Sequence, residues 1–273
     1  MQAYYQVIPI RPDVYRLLSA DGSATELIIG TKQAAVIDTG YGLGDLKGAI
    51  RAITDLPLIV FNTHGHCDHI GGNFQFDEPI HMGREDIPTC EYTNGKVFRQ
   101  IMIDRMRQSL PDGFDADAYL AQGYGHPVAC GEGEAFDLGG MLLRVYNASG
   151  HSLGSLAFYL EPHEILYTGD NVGSTVLLFG YGAADQKTYI ATMDRLLKLP
   201  FQAIYGSHKK EPMSRADLQR CRRVAAEAVY ETGTPFPNPI RDGEDAKTCC
   251  LPGMTQADEK NPEFAAIILT ADK

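Results

Sequence analysis

Basic residues and long apolar runs are both scarce in this chain of 273 residues. It contains 24 Lys and Arg against 35 Asp and Glu, which gives a net charge of -11 with neutral His. That sign is wrong for a protein that binds nucleic acid through many phosphates. The apolar runs LPLIVF and FAAIIL stop after six residues, whereas a membrane span needs about 18. We therefore expect neither nucleic acid nor a membrane as a partner.

No export signal is visible at the start of the sequence. The stretch MQAYYQVIPIRPDVYRLL has no basic region leading into an apolar one, and two prolines interrupt it. Six irregularly spaced cysteines in a chain of this length favour reduced thiols, so we expect a cytoplasmic protein, although a mature form without its signal would look the same. With 44% hydrophobic and 22% charged residues, the chain can bury a substantial core and should be globular.

The pattern of the first 63 residues is that of a sheet followed by a βαβ unit. The runs YYQVIPI, VYRLLS, TELIIG and AAVIDT are rich in β-branched and aromatic residues and are separated by turn-forming breaks, which predicts an antiparallel meander. In LGDLKGAIRAI, the residues Leu46, Ile50 and Ile53 have helical spacing. The run LPLIVFNT then predicts a buried strand.

A block from about residue 84 to 131 has a different pattern. KVFRQIMIDRMRQSL predicts an amphipathic helix and DADAYLAQG a shorter one, and we expect no strand in this block. The longer helix has an apolar stripe of Met102, Ile103, Met106 and Leu110, which is more often core than a substrate or dimer surface. The block is interpreted as a helical insert or cap whose role stays open.

The second half of the sequence repeats the order of the first. MLLRVYNAS, SLAFYLEP, EILYTGD and AIYGS predict strands, and helices are predicted at roughly 187–198 and 215–231. Residues 233–261 are expected to form loop before a last strand, FAAIILTA. We predict one α/β domain over residues 1–273, a four-layer α/β/β/α sandwich with the helical insert at about 84–131 and a C-terminal extension at about 233–273.

Three of the eight histidines fall within six residues, directly after the predicted strand LPLIVFNT. In the sequence THGHCDHIGG, alternate spacing on an extended loop turns His64 and His66 to the same side, so that Asp68 and His69 can face a second ion. Four ligand-type side chains beside one another are costly unless something binds them. The stretch therefore predicts a metal site.

Four more polar residues follow predicted strands, and glycines lie close to them. Asp38 lies in VIDTG, His151 in SGHSLGS, Asp170 in YTGDN and His208 in YGSH. Each alone has an ordinary structural explanation, such as a helix cap, an Asx turn or a surface position. Together they favour loops that converge at one end of the sheets, where α/β proteins keep their sites.

These motifs, in this order, resemble those of the metallo-β-lactamase superfamily, from about Asp38 to His208. The resemblance implies the fold predicted above and a dinuclear site in which two groups of ligands are joined by a bridging carboxylate. The first group is His64, His66 and His151, the second is Asp68, His69 and His208, and the bridge is Asp170. Asp38 is expected to contact one of these ligand side chains and not the metal itself.

The resemblance also implies hydrolysis. Two ions about 3.5–4 Å apart share a water whose pKa falls from its bulk value towards about 7, and the resulting hydroxide attacks a carbonyl or phosphoryl centre. Asp68 and Asp170 are the expected catalytic carboxylates, and Asp68 could orient the hydroxide or relay its proton. A ligand set without cysteine suits zinc, which we expect first, as well as iron and manganese.

Departures from family members narrow the expected activity. Asp170 stands where antibiotic-degrading lactamases have Cys, and His66 in place of Glu argues against the diiron oxygen and nitric-oxide reductases. Glyoxalase II-like thioesterases share THxHxDHxGG but differ around the last histidine and carry a helical C-terminal domain, whereas lactonases share all seven ligands. We expect a hydrolase of a small ester, thioester or lactone; the alternatives are a phosphodiesterase and a mononuclear-iron enzyme like the persulfide dioxygenases.

A few further residues have two interpretations each. Phe179 and Tyr181 are candidates for lining an apolar pocket, and ordinary loop aromatics explain them equally well. Cys67 should point away from the ligands and take no part in the chemistry. Cys249 and Cys250 are adjacent, and free thiols are expected in preference to a vicinal disulfide or a metal site. The oligomeric state is not decided by the sequence.

Overall fold

The computed structural model describes residues 4–180, 182–237 and 245–273. The chain forms two compact units. The first comprises Met1–Tyr146 with Leu160–Pro162, and the second comprises Asn147–Tyr159 with His163–Lys273. Within the described ranges, no helix has both the length and the apolar character that crossing a bilayer requires.

The first unit contains a seven-stranded sheet whose strand order follows the chain. Its strands are β1 (Tyr5–Arg11), β2 (Val14–Ser19), β3 (Ala24–Ile29), β4 (Ala34–Ile37), β5 (Leu58–Phe61), β6 (Ile80–Gly83) and β7 (Pro127–Cys130). Strands β1 to β4 pair antiparallel, which confirms the predicted meander. From β4 to β7 the pairing is parallel.

Helix α1 (Leu46–Arg51) joins β4 to the parallel strand β5 and confirms the predicted βαβ unit. Its first turn is capped by Asp45, which accepts a hydrogen bond from the Gly48 N–H at 2.8 Å. Leu46 and Ile50 are fully buried in one apolar cluster with Val36 and Val60. A one-turn helix, α2 (Cys67–Ile70), then follows β5. The end of β5 is therefore fixed by a packed core.

The block after β6 is helical but not free of strands. It contains α3 (Ile87–Thr93), α4 (Lys96–Arg105) and α5 (Ala116–Leu120). The expectation of no strand is wrong, because β7 lies within the block and pairs with β6; four partly exposed residues give no period that predicts a strand. Met102 and Ile103 are buried, so the apolar stripe is core as predicted. The first unit ends with the antiparallel hairpin of β8 (Ala135–Asp137) and β9 (Leu142–Asn147).

The second unit contains strands from two sheets and two helices. In chain order these are β10 (Leu156–Glu161), β11 (Ile165–Gly169), β12 (Thr175–Leu178), α6 (Gln186–Leu196), β13 (Ala203–Gly206), α7 (Arg215–Glu227), β14 (Thr234–Pro235), β15 (Ala246–Cys250) and β16 (Ala266–Thr270). One group has the order β13-β11-β10, with β11 and β13 parallel, and the other has the order β12-β16-β15-β14. Helix α7 ends at Glu227, earlier than predicted, because Ala228 is extended.

The expected loop at 233–261 is also corrected in part. Strands β14 and β15 lie in it, and residues 238–244 are outside the described ranges. The sequence of β15, AKTCC, has few strand-forming residues, but its backbone pairs along its whole length with β16. Long-range pairing of this kind overrides a weak local preference. Cys249 and Cys250 are both free thiols, as expected.

Candidate metal centre

The loop after β5 carries four predicted ligands, which we call the first half-site: His64, His66, Asp68 and His69. The Nε2 atom of His64 lies 3.1 Å from Nδ1 of His66. His69 Nε2 lies 3.6 Å from an Asp68 oxygen. The four side chains thus form two pairs of converging donor atoms within one short loop.

The expected extended loop is only partly correct. His66 is extended, with φ -81° and ψ 152°, but the chain turns into helix α2 at the next residue. Asp68 and His69 therefore project from a helical turn and not from an alternating strand. Cys67 begins this turn, and burial, with the charge of Asp68 in addition, raises the pKa of its thiol. A neutral thiol is a weak ligand for a divalent ion.

Asp38 fixes the orientation of His69. One of its oxygens lies 2.8 Å from His69 Nδ1, and the carboxylate also accepts hydrogen bonds from the Thr63 N–H at 2.7 Å and the Thr63 hydroxyl at 2.8 Å. Asp38 has a φ of 62°, a left-handed conformation that Asp tolerates better than most residues. A carboxylate that accepts from Nδ1 leaves Nε2 as the donor to a metal.

Thr63 fixes the orientation of His64 in the same way. Its hydroxyl proton is donated to Asp38, so the hydroxyl oxygen is left to accept from His64 Nδ1 at 3.1 Å. His64 then presents Nε2 towards His66. Thr63 belongs to the THGHCDH motif, but the spacing of the motif did not predict that Thr63 links Asp38 to His64 by hydrogen bonds. The signal was its position directly before the first ligand and at the end of a buried strand.

The residue between the first two histidines must be glycine. A Cβ at Gly65 would lie 2.6 Å from the backbone oxygen of Asp86 and 3.0 Å from the backbone nitrogen of Cys90. Neither atom is the end of a flexible side chain, so the clash would have to move the backbone. This close approach holds the His64–His66 turn against the start of α3.

The second unit carries the other predicted ligands, which we call the second half-site: His151, Asp170 and His208. They come from three separate loops, after β9, β11 and β13. An Asp170 oxygen lies 3.2 Å from His208 Nε2 and 3.7 Å from His151 Nε2. The carboxylate thus lies between two imidazole nitrogens, as a bridging role would require.

His151 is held from two sides. Its Nδ1 donates to the Leu177 carbonyl at 2.9 Å, and its backbone N–H donates to Asn171 Oδ1 at 3.0 Å. Asn171 in turn donates to the Ala148 carbonyl at 2.8 Å. The sequence prediction missed Asn171, although it directly follows a predicted ligand. His151 therefore also offers Nε2, in the same tautomer as His64 and His69.

Two neighbouring cavities of the second unit share wall residues. A small one, of about 110 Å³, is lined by all three ligands of the second half-site together with Lys209. A larger one, of about 500 Å³, shares Lys209 with the first and is also lined by Arg220 and Lys260. Its volume is in the usual range for small-molecule sites.

Of the two aromatic residues that were candidates for lining a pocket, only Phe179 belongs to the described part of the chain. Phe179 packs on Phe236, with ring centroids 5.7 Å apart, and it lines neither of the two cavities. Tyr181 lies outside the described residues. The wall of the small cavity consists mainly of loop residues that follow β11 and β13, whereas the larger cavity is lined mainly by α7 and by residues 259–265.

The donor chemistry fits a divalent metal ion. The two half-sites together supply five imidazoles and two carboxylates, with no thiolate. In His64, His69 and His151 the Nδ1 atom already has a hydrogen-bond partner, so the unprotonated atom is Nε2, which points away from that partner. Nitrogen and oxygen donors of this kind suit zinc, iron and manganese.

Comparison with known proteins agrees with the resemblance seen in the motifs. Residues 21–208 match the family model of the metallo-beta-lactamase superfamily. An acyl-coenzyme A thioesterase MBLAC2 of Bos taurus is 26% identical over 219 residues, which are 76% of this chain and 78% of that protein. A hydroxyacylglutathione hydrolase of Bdellovibrio bacteriovorus is 27% identical over 228 residues, 80% of this chain and 71% of that one.

Solved structures agree on the fold. A metallo-beta-lactamase from Pontibacter korlensis superposes with a TM-score of 0.58 at 20% identity, covering 82% of this chain and all of that one. The chain therefore belongs to the metallo-β-lactamase superfamily and has its α/β sandwich fold, as predicted from the sequence. It is a metal-dependent hydrolase of that superfamily.

Proposed function

We propose that this enzyme hydrolyses small thioesters, using both half-sites to bind two divalent ions, with zinc as the first choice and iron or manganese as alternatives. In this assignment His64, His66 and His151 bind one ion, Asp68, His69 and His208 bind the other, and Asp170 bridges them. The family match supports it, because residues 21–208 include all seven ligands. The observation that carries it is the tautomer that Thr63, Asp38 and Leu177 impose on three of the histidines.

The side chains around the ions have separate tasks. The ions, when bound, lower the pKa of a water molecule and polarise the carbonyl that it attacks. Asp68 would accept the proton of the attacking water as the carbon–oxygen bond forms, and would pass it to the leaving sulfur as the carbon–sulfur bond then breaks. Asp38 keeps His69 Nε2 directed away from its own carboxylate, at the 2.8 Å contact with Nδ1. Asp170 keeps His151 and His208 facing one point.

Thioesters are preferred over lactones for two reasons. The relatives described above are named for acyl-coenzyme A and hydroxyacylglutathione, which are both thioesters. In addition, the cavity of about 500 Å³ has basic groups from Lys209, Arg220 and Lys260 beside two carboxylates, which suits a large polar carrier better than a compact lactone. This changes the order given by the motifs alone, which matched lactonases better.

The enzyme is also proposed to work in a reducing compartment such as the cytoplasm. All six cysteines are free thiols. Reduced thiols that are irregularly spaced and partly buried are typical of proteins that never meet an oxidising environment.

A reconstitution experiment tests the proposal. The protein is stripped with a chelator and reloaded separately with Zn²⁺, Fe²⁺ or Mn²⁺. It is then offered an acyl-coenzyme A, a hydroxyacylglutathione, a p-nitrophenyl ester, a lactone and bis-p-nitrophenyl phosphate. We expect about two metal equivalents per chain and the highest kcat/KM for a thioester, followed by release of free thiol.

Other outcomes identify the rivals. Fastest turnover of the phosphate diester would make the enzyme a phosphodiesterase. Oxygen uptake with a persulfide, in protein holding one iron, would make it a dioxygenase. Metal uptake with no turnover of any substrate would indicate that the protein binds a ligand and catalyses no reaction. Each of these results overturns the thioesterase proposal.

A further inference from the structure

The turn between the first two histidines is hydrogen-bonded on both sides to one buried segment. The Gly65 N–H donates to Asp86 Oδ2 at 2.8 Å, and the Gly65 carbonyl accepts from the Thr93 hydroxyl at 2.7 Å. Both partners are buried, Asp86 with 0% and Thr93 with 6% exposure. These two hydrogen bonds fix the peptide groups that join Gly65 to His64 and to His66.

The same segment also holds the far end of the ligand loop. Asn94 donates from its side-chain amide to the Ile70 carbonyl at 3.3 Å, and Arg99 donates to the Gly71 carbonyl in a longer contact of 3.5 Å. Arg99 is 2% exposed and is itself held by the Asn94 carbonyl at 3.1 Å. Residues 86–99 thus bond to the backbone at both ends of the loop.

The polar side chains of this segment are directed at the loop, whereas its apolar side chains serve the core. Burying a hydroxyl, an amide and a carboxylate costs free energy unless each is hydrogen-bonded. The backbone partners of these side chains all lie beside a predicted ligand: Asp86 accepts from one such group, and Thr93 and Asn94 each donate to another. Cys90, by contrast, packs in an apolar cluster with Ile70 and Met82.

We propose that Asp86 and Thr93 are positioning residues for metal binding. They hold Gly65 so that His64 Nε2 and His66 Nδ1 stay converged, 3.1 Å apart, before any ion arrives. Two imidazole lone pairs aimed at one point repel, so a loop without this support would relax apart and would have to be reordered on binding. The inference rests on the proposed ligand roles of His64 and His66, and it gives the helices after β6 a function.

A matched pair of substitutions at Thr93 tests the proposal. Thr93→Val keeps the shape but removes the hydroxyl, and Thr93→Ser restores it. Removing an outer partner of a ligand typically weakens metal binding by about 10–100-fold. We expect a loss in that range for the dissociation constant of Zn²⁺ with Thr93→Val, measured on the apoprotein by chelator competition, and at most about a threefold loss with Thr93→Ser.

A spectroscopic readout separates positioning from stability. The visible absorption of the Co²⁺-loaded protein should change in Thr93→Val and not in Thr93→Ser. The control is Thr54→Val, which removes another buried hydroxyl of the first unit, one that accepts from the Leu56 N–H at 3.3 Å. Its Tm should fall while its Zn²⁺ affinity and Co²⁺ spectrum stay those of the wild type.

A second variant keeps the test decisive if Thr93→Val does not fold. Asp86→Asn replaces a charged acceptor by a neutral one, and we expect Zn²⁺ binding about tenfold weaker. Folded variants at both positions with wild-type affinity and spectrum would refute the positioning role. If the wild-type protein itself binds none of Zn²⁺, Fe²⁺ and Mn²⁺, the proposed function fails instead, so the two failures are distinguishable.

Discussion

The two half-sites use the same kinds of donor but are built in different ways. The first has four donors within six residues, all after β5, and each histidine with an assigned support depends on a neighbour in the same unit, Thr63 or Asp38. The second takes one donor from each of three loops, after β9, β11 and β13. One is a single organised loop, and the other depends on three strand ends staying in register.

Burial differs as well. His64 and His69 are 1% and 0% exposed, whereas the side chain of His208 is 45% exposed. Water competes poorly for a ligand position that is closed off and competes well for one that is open. Because His151, at 3% exposure, is also closed off, the difference concerns His208: metal retention should depend mainly on the first half-site, and His208 should tolerate change better.

The largest expected difference is between His66→Ala and His208→Ala. His66→Ala should reduce kcat/KM roughly a thousandfold, because a bound metal ion stabilises the transition state by several kcal/mol. Metal content should fall from about two equivalents to about one, by elemental analysis. His208→Ala should cost only about 10–100-fold, since water can take the place of an exposed ligand.

His126→Ala is the matched control, because His126 is exposed and lies outside both half-sites. It should keep wild-type activity and metal content, and all three variants should keep the wild-type circular dichroism spectrum. Equal losses for His66→Ala and His208→Ala would break the comparison between the half-sites.

A smaller difference is expected between two glycines that stand beside ligands. At Gly65 a Cβ would meet backbone atoms of Asp86 and Cys90, whereas at Gly150 it would meet the side chains of Asn171 and Tyr189, at 2.4 and 2.6 Å. Asn171 and Tyr189 are buried, at 1% and 0% exposure, and can shift only slightly, but even buried side chains give way more easily than backbone. Gly65→Ala should therefore cost about 2–3 kcal/mol and Gly150→Ala about 1–2 kcal/mol of unfolding free energy.

Thermal and chemical unfolding measure both glycine variants. Gly65→Ala should also weaken Zn²⁺ binding more than Gly150→Ala, because its clash moves the backbone between two ligands. Gly123→Ala is the control, since a Cβ at that position would meet no atom within 4 Å. A larger loss at Gly150 would mean that the second half-site is the more rigid of the two.

The same contrast explains how much the sequence could predict. The ligands of the first half-site are neighbours along the chain, so their spacing alone indicated two pairs of donors. Those of the second were assigned only through the resemblance to a family, because strands far apart in sequence bring them together. Asn171 and Thr63 were missed as supports for the same reason, since their hydrogen bonds depend on side-chain directions that no periodicity records.

The fold, like the site, could be predicted from the sequence only in part. The antiparallel meander and the βαβ unit were predicted because their strands are four residues or longer with strong apolar patterns and local pairing. Strands β6, β7 and β8, with the sequences IHMG, PVAC and AFD, have no such pattern. These strands form because their backbones hydrogen-bond to a neighbouring strand. That neighbour cannot be recognised from the local sequence pattern.

The smallest expected effect concerns the loop of the most exposed ligand. His208 lies in a loop closed by a pair of backbone hydrogen bonds between Ile204 and Met213, at 2.7 and 2.8 Å, and helix α7 begins directly after it. Asp217 accepts hydrogen bonds from the Ser214 N–H and hydroxyl, both at 2.7 Å, and from Arg220 at 2.6 Å. Burial alone would raise the pKa of Asp217, but these hydrogen bonds hold it below the usual 3.8.

Asp217→Asn should therefore cost about 1 kcal/mol at neutral pH, the usual value of a helix cap, and lower the Tm by about 2–4 °C. Because the folded pKa is depressed, the stabilisation is fully present above the unfolded value and is lost as the pH falls through the folded one. The Tm difference between variant and wild-type apoprotein should be equal at pH 7 and at about pH 5.5, and should shrink at about pH 3. Zn²⁺ affinity should fall no more than about threefold, because the first half-site is untouched. A constant Tm difference down to the lowest pH would show that the carboxylate charge of Asp217 contributes nothing, and a large loss of Zn²⁺ would show that the exposed half-site controls retention after all.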